Sequence, residues 1–222
     1  MYKIVNLITP DSAKILEKKI LSSKLLTNGT ATAGVLGQEK KKNKQLLPST
    51  EDGKLILSAA RKAILDNTTI QQIVFPKLLS SIMANVYEDG DYYAPHVDVP
   101  WMGNQEAGWY RADYSFTLFL SEPQSYKGGD LILHLDGGKI AIKLKAGQII
   151  LYRSGLLHEV ETVTYGKRVA IVGWMQSFLK CDQIRHTCTN LERLVTSLRS
   201  SGDIKNSENV KIILHDLLRL GD

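Results

Sequence analysis

From residue 81 onward the apolar residues of this chain stop recurring every three or four positions and begin to alternate. Phe116, Leu118 and Leu120 alternate with Ser115, Thr117 and Phe119. Ile140, Ile142 and Leu144 alternate with Lys139, Ala141, Lys143 and Lys145. A period of two puts each set on one face of a strand. Ile149-Ile150-Leu151-Tyr152 is apolar throughout, as a buried strand would be. Arg168, Ala170, Val172 and Trp174 share one face of the last run, and Val169 and Ile171 the other. Gly128-Gly129, Asp136-Gly137-Gly138, Ala146-Gly147 and Tyr165-Gly166 punctuate these runs as turns. Roughly six to eight short strands so spaced predict a closed or double-sheeted antiparallel fold, with a jelly roll as its natural form.

Helical spacing flanks this stretch on both sides. Thr9-Pro10-Asp11 followed by Ile15, Leu16 and Ile20 predicts a capped first helix. Leu55, Ile56, Ala59, Ala60, Ala63 and Ile64 predict a second, ending near Asp66-Asn67. Residues 24–50, rich in Gly, Thr, Lys and Asn, read as loops and short strands. After Ser177 helical stripes return at Leu191, Leu194, Val195 and Leu198, then at Val210, Ile213, Leu214, Leu217 and Leu218. Ser200-Ser201-Gly202-Asp203 separates them. The fold class is therefore α+β: a jelly-roll (double-stranded β-helix) core over 81–178, N-terminal helices and loops over 1–80 packed on it, and a C-terminal helical segment over 179–222. The apolar stripes of that last segment are expected to pack on the β-fold or on a second subunit, making a homodimer possible.

The 222 residues suffice for one generous domain, or a domain with a helical appendage. The 43% hydrophobic and 23% charged composition is ordinary for a soluble globular protein. No apolar run approaches the length of about 20 residues that a spanning helix needs, and the start of the chain has no signal-peptide pattern. A cytoplasmic protein is expected. Cys181 and Cys188, the two cysteines, imply neither a disulfide framework nor a zinc ribbon. A net charge of +5 and a pI of about 9.1 admit nucleic acid or another acidic partner. Much of the excess sits in Lys40, Lys41, Lys42 and Lys44, which read as a solvated loop or a phosphate-binding patch. No aromatics interleave it, which counts against a single-strand groove.

The chemistry-bearing residues gather in and after the alternating stretch. His96 and Asp98 stand two apart, so one strand segment presents both to the same side. His158 would complete a two-His-one-carboxylate face, which leaves coordination positions open and suits non-heme Fe(II) oxygen chemistry. Arg168, ten residues on, offers a planar fork for a carboxylate arriving with a second ligand, or a salt bridge to Glu159 or Glu161. Tyr87 reads as a hydroxyl donor to the same carboxylate or as a core tyrosine. Trp101, Met102, Trp109 and Tyr110 fall in a loop just after the HxD pair, as a lid or as an aromatic cluster. His134, His186 and His215 have no metal-like neighbours in sequence and are set aside.

These residues resemble the Fe(II)/2-oxoglutarate dioxygenases of the prolyl 4-hydroxylase type, and within them the bacterial PKHD-type hydroxylases. The resemblance runs through Tyr87-Glu88-Asp89-Gly90-Asp91-Tyr92-Tyr93-Ala94-Pro95-His96-Val97-Asp98 and through Arg111 to Ser121, reaching Gly128-Gly129-Asp130-Leu131. It continues from Lys143-Leu144-Lys145-Ala146-Gly147 over His158, Gly166 and Arg168 to Trp174-Met175-Gln176-Ser177. Thr32-Ala33-Gly34 and Lys42-Asn43-Lys44-Gln45-Leu46 resemble the family's N-terminal region. Arg153 and Glu161 depart from it, standing where the family commonly has prolines around the distal histidine.

The resemblance implies His96, Asp98 and His158 as iron ligands and Arg168 as the 2-oxoglutarate anchor. Tyr87 is expected beside the same cosubstrate, and Trp101, Trp109, Arg111 and Trp174 are expected to face the substrate. The resemblance implies Fe(II) and 2-oxoglutarate, with ascorbate keeping the iron reduced. The activity implied is hydroxylation of an aliphatic carbon, on a peptidyl proline or a small molecule, with succinate and CO2 as co-products. Two other readings stay open here: an oxidative demethylase acting on nucleic acid, and a non-catalytic metal- or ligand-binding β-module. No membrane partner is expected.

Overall fold

The computed structural model describes residues 2–32, 40–106 and 108–221; Ala33 and Gly34 of the segments named above lie outside them. The chain begins β1 (Tyr2–Asn6), α1 (Pro10–Ser22), β2 (Thr27–Asn28), β3 (Lys41–Lys42), β4 (Lys44–Leu46), α2 (Glu51–Asp66) and α3 (Thr68–Val74). It continues β5 (Pro76–Leu79), β6 (Met83–Tyr87), β7 (Tyr92–His96), β8 (Trp101–Asn104), β9 (Gly108–Arg111), β10 (Tyr114–Phe119), β11 (Tyr126–Gly128) and β12 (Leu131–Leu135). Then follow β13 (Gly138–Ile142), β14 (Gln148–Arg153), β15 (His158–Val160), β16 (Val163–Gly166), β17 (Arg168–Ser177), α4 (Asp182–Ser200) and α5 (Ile204–Leu218).

Two antiparallel sheets make the jelly roll. The larger has the order β1-β14-β10-β17-β6-β4-β2, with β5 also paired to β17; the smaller has the order β13-β12-β15-β7-β3. The chain passes between sheets from β6 to β7 and again from β15 to β17, so the ends of β6 and β17 face the smaller sheet's His-bearing strands.

Alternation along the larger sheet decides what each face does. Phe116, Leu118, Ile149, Leu151, Val169 and Ile171 form one core with the inner faces of the helices. Thr9 caps α1 by accepting from Ser12 N at 3.2 Å, with Pro10 in the first turn, and α1 buries Ala13, Leu16 and Ile20. Thr50 caps α2 likewise from Gly53 N at 3.0 Å, and α2 buries Ile56, Leu57, Ala60 and Ile64. At Gly173 a Cβ would come within 2.8 Å of Phe116 Cζ and of Ile82 Cγ2, so only glycine lets this core close there. The opposite faces meet in a smaller cluster of Phe119, Leu131, Leu133, Ile142, Ile150 and Tyr152.

Several local expectations are revised. The opening segment is a strand, β1, zipped to β14 from Tyr2↔Tyr152 to Asn6↔Gln148, and it brings residues before 81 into the larger sheet. Asn67 ends α2 but also caps a further helix, α3, by accepting from Ile70 N at 3.0 Å. Leu55 points to solvent, the buried stripe running one position later through Ile56 and Leu57. The aromatic segment after Asp98 is a two-stranded ribbon, β8–β9, not a loop. In the C-terminal hairpin Cys188, Leu214 and Leu179 are buried, while Leu194, Ile212 and Ile213 stay exposed. Among the described residues no helix is long and apolar enough to cross a membrane.

Asp113 ties this hairpin to the sheets. It accepts from Arg111 Nε at 2.8 Å, Arg111 Nη2 at 3.1 Å and Ser177 N at 2.8 Å, and lies 3.7 Å from Arg185 Nη1. Arg185 also bonds the Leu179 carbonyl and Asp182. Removing one partner of a buried ion pair strands the other charge at a cost of about 3–5 kcal/mol. Asp113→Ala should therefore lower the free energy of unfolding by about that much in a urea titration. An unchanged midpoint would show that the carboxylate is dispensable.

Candidate active site

Antiparallel pairing of β15 with β7 sets His158 directly opposite His96. Asp98 follows two residues after His96, just past the end of β7. Ligand atoms of the three lie within 4.8 Å of one another, the one such metal-competent cluster among the described residues. His158 Nε2 is 3.8 Å from Asp98 Oδ2, and the two imidazole centroids are 4.2 Å apart.

Each of these three side chains is oriented by a neighbour. His96 Nδ1 is 2.8 Å from the Ala94 carbonyl and His158 Nδ1 is 2.9 Å from the Leu156 carbonyl. A carbonyl can only accept, so both Nδ1 atoms carry the proton and both Nε2 lone pairs are left for a metal. Ser115 Oγ donates to Asp98 Oδ2 at 2.5 Å and is 2.9 Å from Ser154 Oγ. Tyr93 stacks on His96 at 3.6 Å, and Tyr152 meets His158 edge-on at 5.0 Å.

Burial, seconded by the adjacent His158, pulls the His96 imidazole down from 6.5 to about 4, so that it is neutral at physiological pH, as a metal ligand must be. Burial likewise raises the phenols of Tyr93 and Tyr152.

The cluster opens into a cavity of about 900 Å³ between the sheets. Arg168, the first residue of β17, reaches into it from opposite Tyr87 on β6. Its Cζ lies 5.2 Å from the ring centroids of both Tyr87 and Phe119, which hold the guanidinium between them. Arg168 is 1% exposed and its Nε has no hydrogen-bond partner among the described residues. The salt-bridge alternative is not realised: Glu159 pairs with His134 at 2.9 Å and Lys139 at 3.2 Å, and Glu161 is exposed. A cation buried without a carboxylate fits an anionic ligand in the cavity. Tyr87 lines the cavity beside it, its phenol pushed up to about 12 by burial, against the pull of Arg168.

Trp101 and Trp109 share one face of the β8–β9 ribbon at the cavity mouth, more than half exposed. Trp174 lines the wall with Nε1 buried and unpartnered among the described residues. Arg111 does not line the cavity; Asp113 and the Ser177 carbonyl engage it instead, a correction to its expected place with the substrate-facing residues. The sequence reading missed Ser115, Ser154, Tyr93 and Lys41. Lys41 also lines the cavity, its ammonium pulled down to about 8 by burial against the opposing pull of Asp98. Only the alternation of β10, which turns Ser115 and Thr117 inward as polar residues, could have signalled one of them.

A jelly roll whose inner space keeps three metal-competent donors, rather than apolar packing, belongs to the class of mononuclear non-heme metal proteins. A family profile, the 2OG-Fe(II) oxygenase superfamily, matches residues 82–176. A PKHD-type hydroxylase of Klebsiella pneumoniae is 33% identical over 99% of this chain and 97% of its own length. The PKHD-type hydroxylase YbiX of Escherichia coli is 35% identical, over 99% of this chain and 97% of its own. A Pseudomonas putida prolyl-4-hydroxylase shares the fold with a TM-score of 0.58 at 21% identity, covering 79% of this chain and 92% of that one. The chain belongs to the PKHD-type hydroxylases of this superfamily and is an Fe(II)- and 2-oxoglutarate-dependent oxygenase.

The depressed imidazole makes a signed prediction. The unfolded chain binds more protons at His96 between about 6.5 and 4, so this group's contribution is complete above 6.5 and is lost as pH falls towards 4. In the metal-free protein the His96 ring proton shift should titrate near pH 4 by NMR. A midpoint near the ordinary imidazole value of about 6.5 would contradict the burial described here.

Proposed function

We propose that His96, Asp98 and His158 hold the Fe(II), that Arg168 with Tyr87 receives the distal carboxylate of 2-oxoglutarate, and that the protein hydroxylates an aliphatic carbon of a peptidyl proline. The observation that carries this reading is the guanidinium of Arg168, buried in the metal-facing cavity with no carboxylate paired to it among the described residues. When bound, the iron and oxo-acid supply oxidative decarboxylation to succinate and CO2, coupled to hydroxylation of a C–H bond. The chain's share is orientation and exclusion. The Ala94 and Leu156 carbonyls fix the two imidazole tautomers, Ser115 holds the carboxylate, and Tyr87 and Phe119 flank the guanidinium and keep water from it. Exposed indoles at the mouth support the proline, since proline-bearing segments settle in aromatic-lined grooves.

The same reading takes ascorbate as the reductant that keeps the iron ferrous and places the protein in the cytoplasm. It treats residues 81–178 as the catalytic unit, braced by 1–80 and 179–222. It also pairs two copies through the exposed Leu194, Ile212 and Ile213. Light scattering of the full chain should then give twice the monomer mass; a monomer at all concentrations would remove the pairing.

His96→Ala, Asp98→Ala and His158→Ala should each abolish substrate-free succinate formation, because two ligands hold the ion poorly; undiminished turnover in any variant would remove that residue. Arg168→Lys keeps the charge but loses the bidentate fork. A charge-assisted pair contributes roughly 1.5–3 kcal/mol, so the KM for 2-oxoglutarate should rise about ten- to a hundredfold with iron affinity unchanged. An unchanged KM with a lowered Tm would assign Arg168 to structure alone.

A further inference from the structure

Asp98 differs from the two histidines in how its backbone is held. His96 and His158 stand on paired strands, β7 and β15, whereas Val97, Asp98 and Val99 lie in no strand. All three line the cavity, and Val97 and Val99 are 50% and 58% exposed. Without a strand ladder around it, the direction of the carboxylate depends on what its oxygens meet.

They meet a pair of serines. Ser115 Oγ lies 2.5 Å from Asp98 Oδ2, and Ser154 Oγ lies 2.9 Å from Ser115 Oγ. Strand register brings the pair together. Ser115 on β10 stands opposite Tyr152 on β14, and Ser154, two residues beyond Tyr152, is its diagonal neighbour on the same face. Ser154 N donates to the Asp113 carbonyl at 3.1 Å, which carries that pairing past the end of β14. The two serines are 2% and 1% exposed, so water does not compete for their hydroxyls.

The direction of this chain follows from its protons. An ionised carboxylate only accepts, and a serine hydroxyl has one proton to give. Ser115 gives its proton to Asp98, so Ser154 donates to Ser115, and each bond polarises the next. Asp98 Oδ2 is also the oxygen that lies 3.8 Å from His158 Nε2. The turn that carries Ser154 further supplies the Leu156 carbonyl, 2.9 Å from His158 Nδ1. One turn thus sets the direction of His158 and, through two hydroxyls, that of Asp98.

Resting on the reading that His96, Asp98 and His158 hold the metal, we propose that Ser154 and Ser115 are positioning residues that aim Asp98 at the ion and set the metal affinity of the site. Ser154 does not line the cavity; it acts through Ser115. A carboxylate aimed before the ion arrives gives up less rotational freedom on binding it.

The test measures the Co(II) affinity of the full-length metal-free protein by competition with a chromophoric chelator, together with the visible spectrum of the Co(II) form. Ser115→Ala should weaken binding about ten- to a hundredfold. Ser154→Ala should weaken it about fivefold. Because Ser154 acts through Ser115, the double variant should bind within about twofold of Ser115→Ala alone. Both single variants should shift the Co(II) bands, which report on the ligand atoms and not on packing elsewhere. Ser115→Thr keeps the hydroxyl on a residue suited to a strand and should retain both affinity and spectrum. Additive losses, or a Ser154→Ala protein with affinity and spectrum unchanged, overturn the relay. If circular dichroism shows Ser115→Ala unfolded, Ser154→Ala and Ser115→Thr decide. Weakened binding in the first with retention in the second supports the relay, and any other pair of results overturns it. His96→Ala tests the ligand reading apart. Co(II) binding that is lost in His96→Ala yet indifferent to both serines overturns the relay alone. No Co(II) binding by the unaltered protein, or binding untouched by His96→Ala, overturns the ligand reading and the relay with it.

Discussion

Across the pair β7–β15, His158 lies opposite His96, and the chemistry of the cavity depends on that register holding. Side chains alternate along a strand, so a slip of one residue would turn one imidazole away from the other. Pairing on both sides of β15 prevents it. Leu133↔His158 and Leu131↔Val160 lock it to β12 on one side, and Val160↔Tyr93 locks it to β7 on the other. Just beyond, Val163 N donates to the Asp91 carbonyl and Gly90 N to the Val163 carbonyl, both at 2.9 Å. These bonds fasten the turn after β6 to the strand that follows His158.

The larger sheet separates stability from function by face. Its outer face, through Phe116, Leu118, Leu151 and Ile171, packs on α1, α2 and α3 in an apolar core. Its inner face gives up part of that packing to Ser115, Thr117, Arg168 and Trp174, which line open space. Such a space is unfavourable for folding, since its walls lose dispersion contacts and it holds a buried cation. The helix-side core offsets that loss, which accounts for the N-terminal helices lying behind the sheet rather than over the cavity.

Two kinds of buried arginine show the contrast. Arg111 and Arg185 converge on Asp113, and with Ser177 N and the Leu179 carbonyl their charges are met within the fold. Arg168 is more deeply buried than either and has aromatic rings where those two have carboxylates. The first pattern completes a junction between α4 and the sheets. The second leaves a binding capacity.

Much of this is legible in the sequence. The change to a period of two at residue 81 implied the paired antiparallel sheets, because alternation records a strand's two environments directly. His96 and Asp98 were legible from their spacing of two, although only His96 lies in β7 and Asp98 falls just past its end. The caps at Thr9 and the break at Ser201–Asp203 are equally local. What only the tertiary structure decided involves partners far apart in the chain. Periodicity could not show that the first strand closes the sheet against β14, that Ser115 holds Asp98, that Asp113 claims Arg111, or that the lysine run splits between an acidic turn and the cavity. Local sequence sets which way a side chain points from its own strand; only packing against distant segments sets what it meets there.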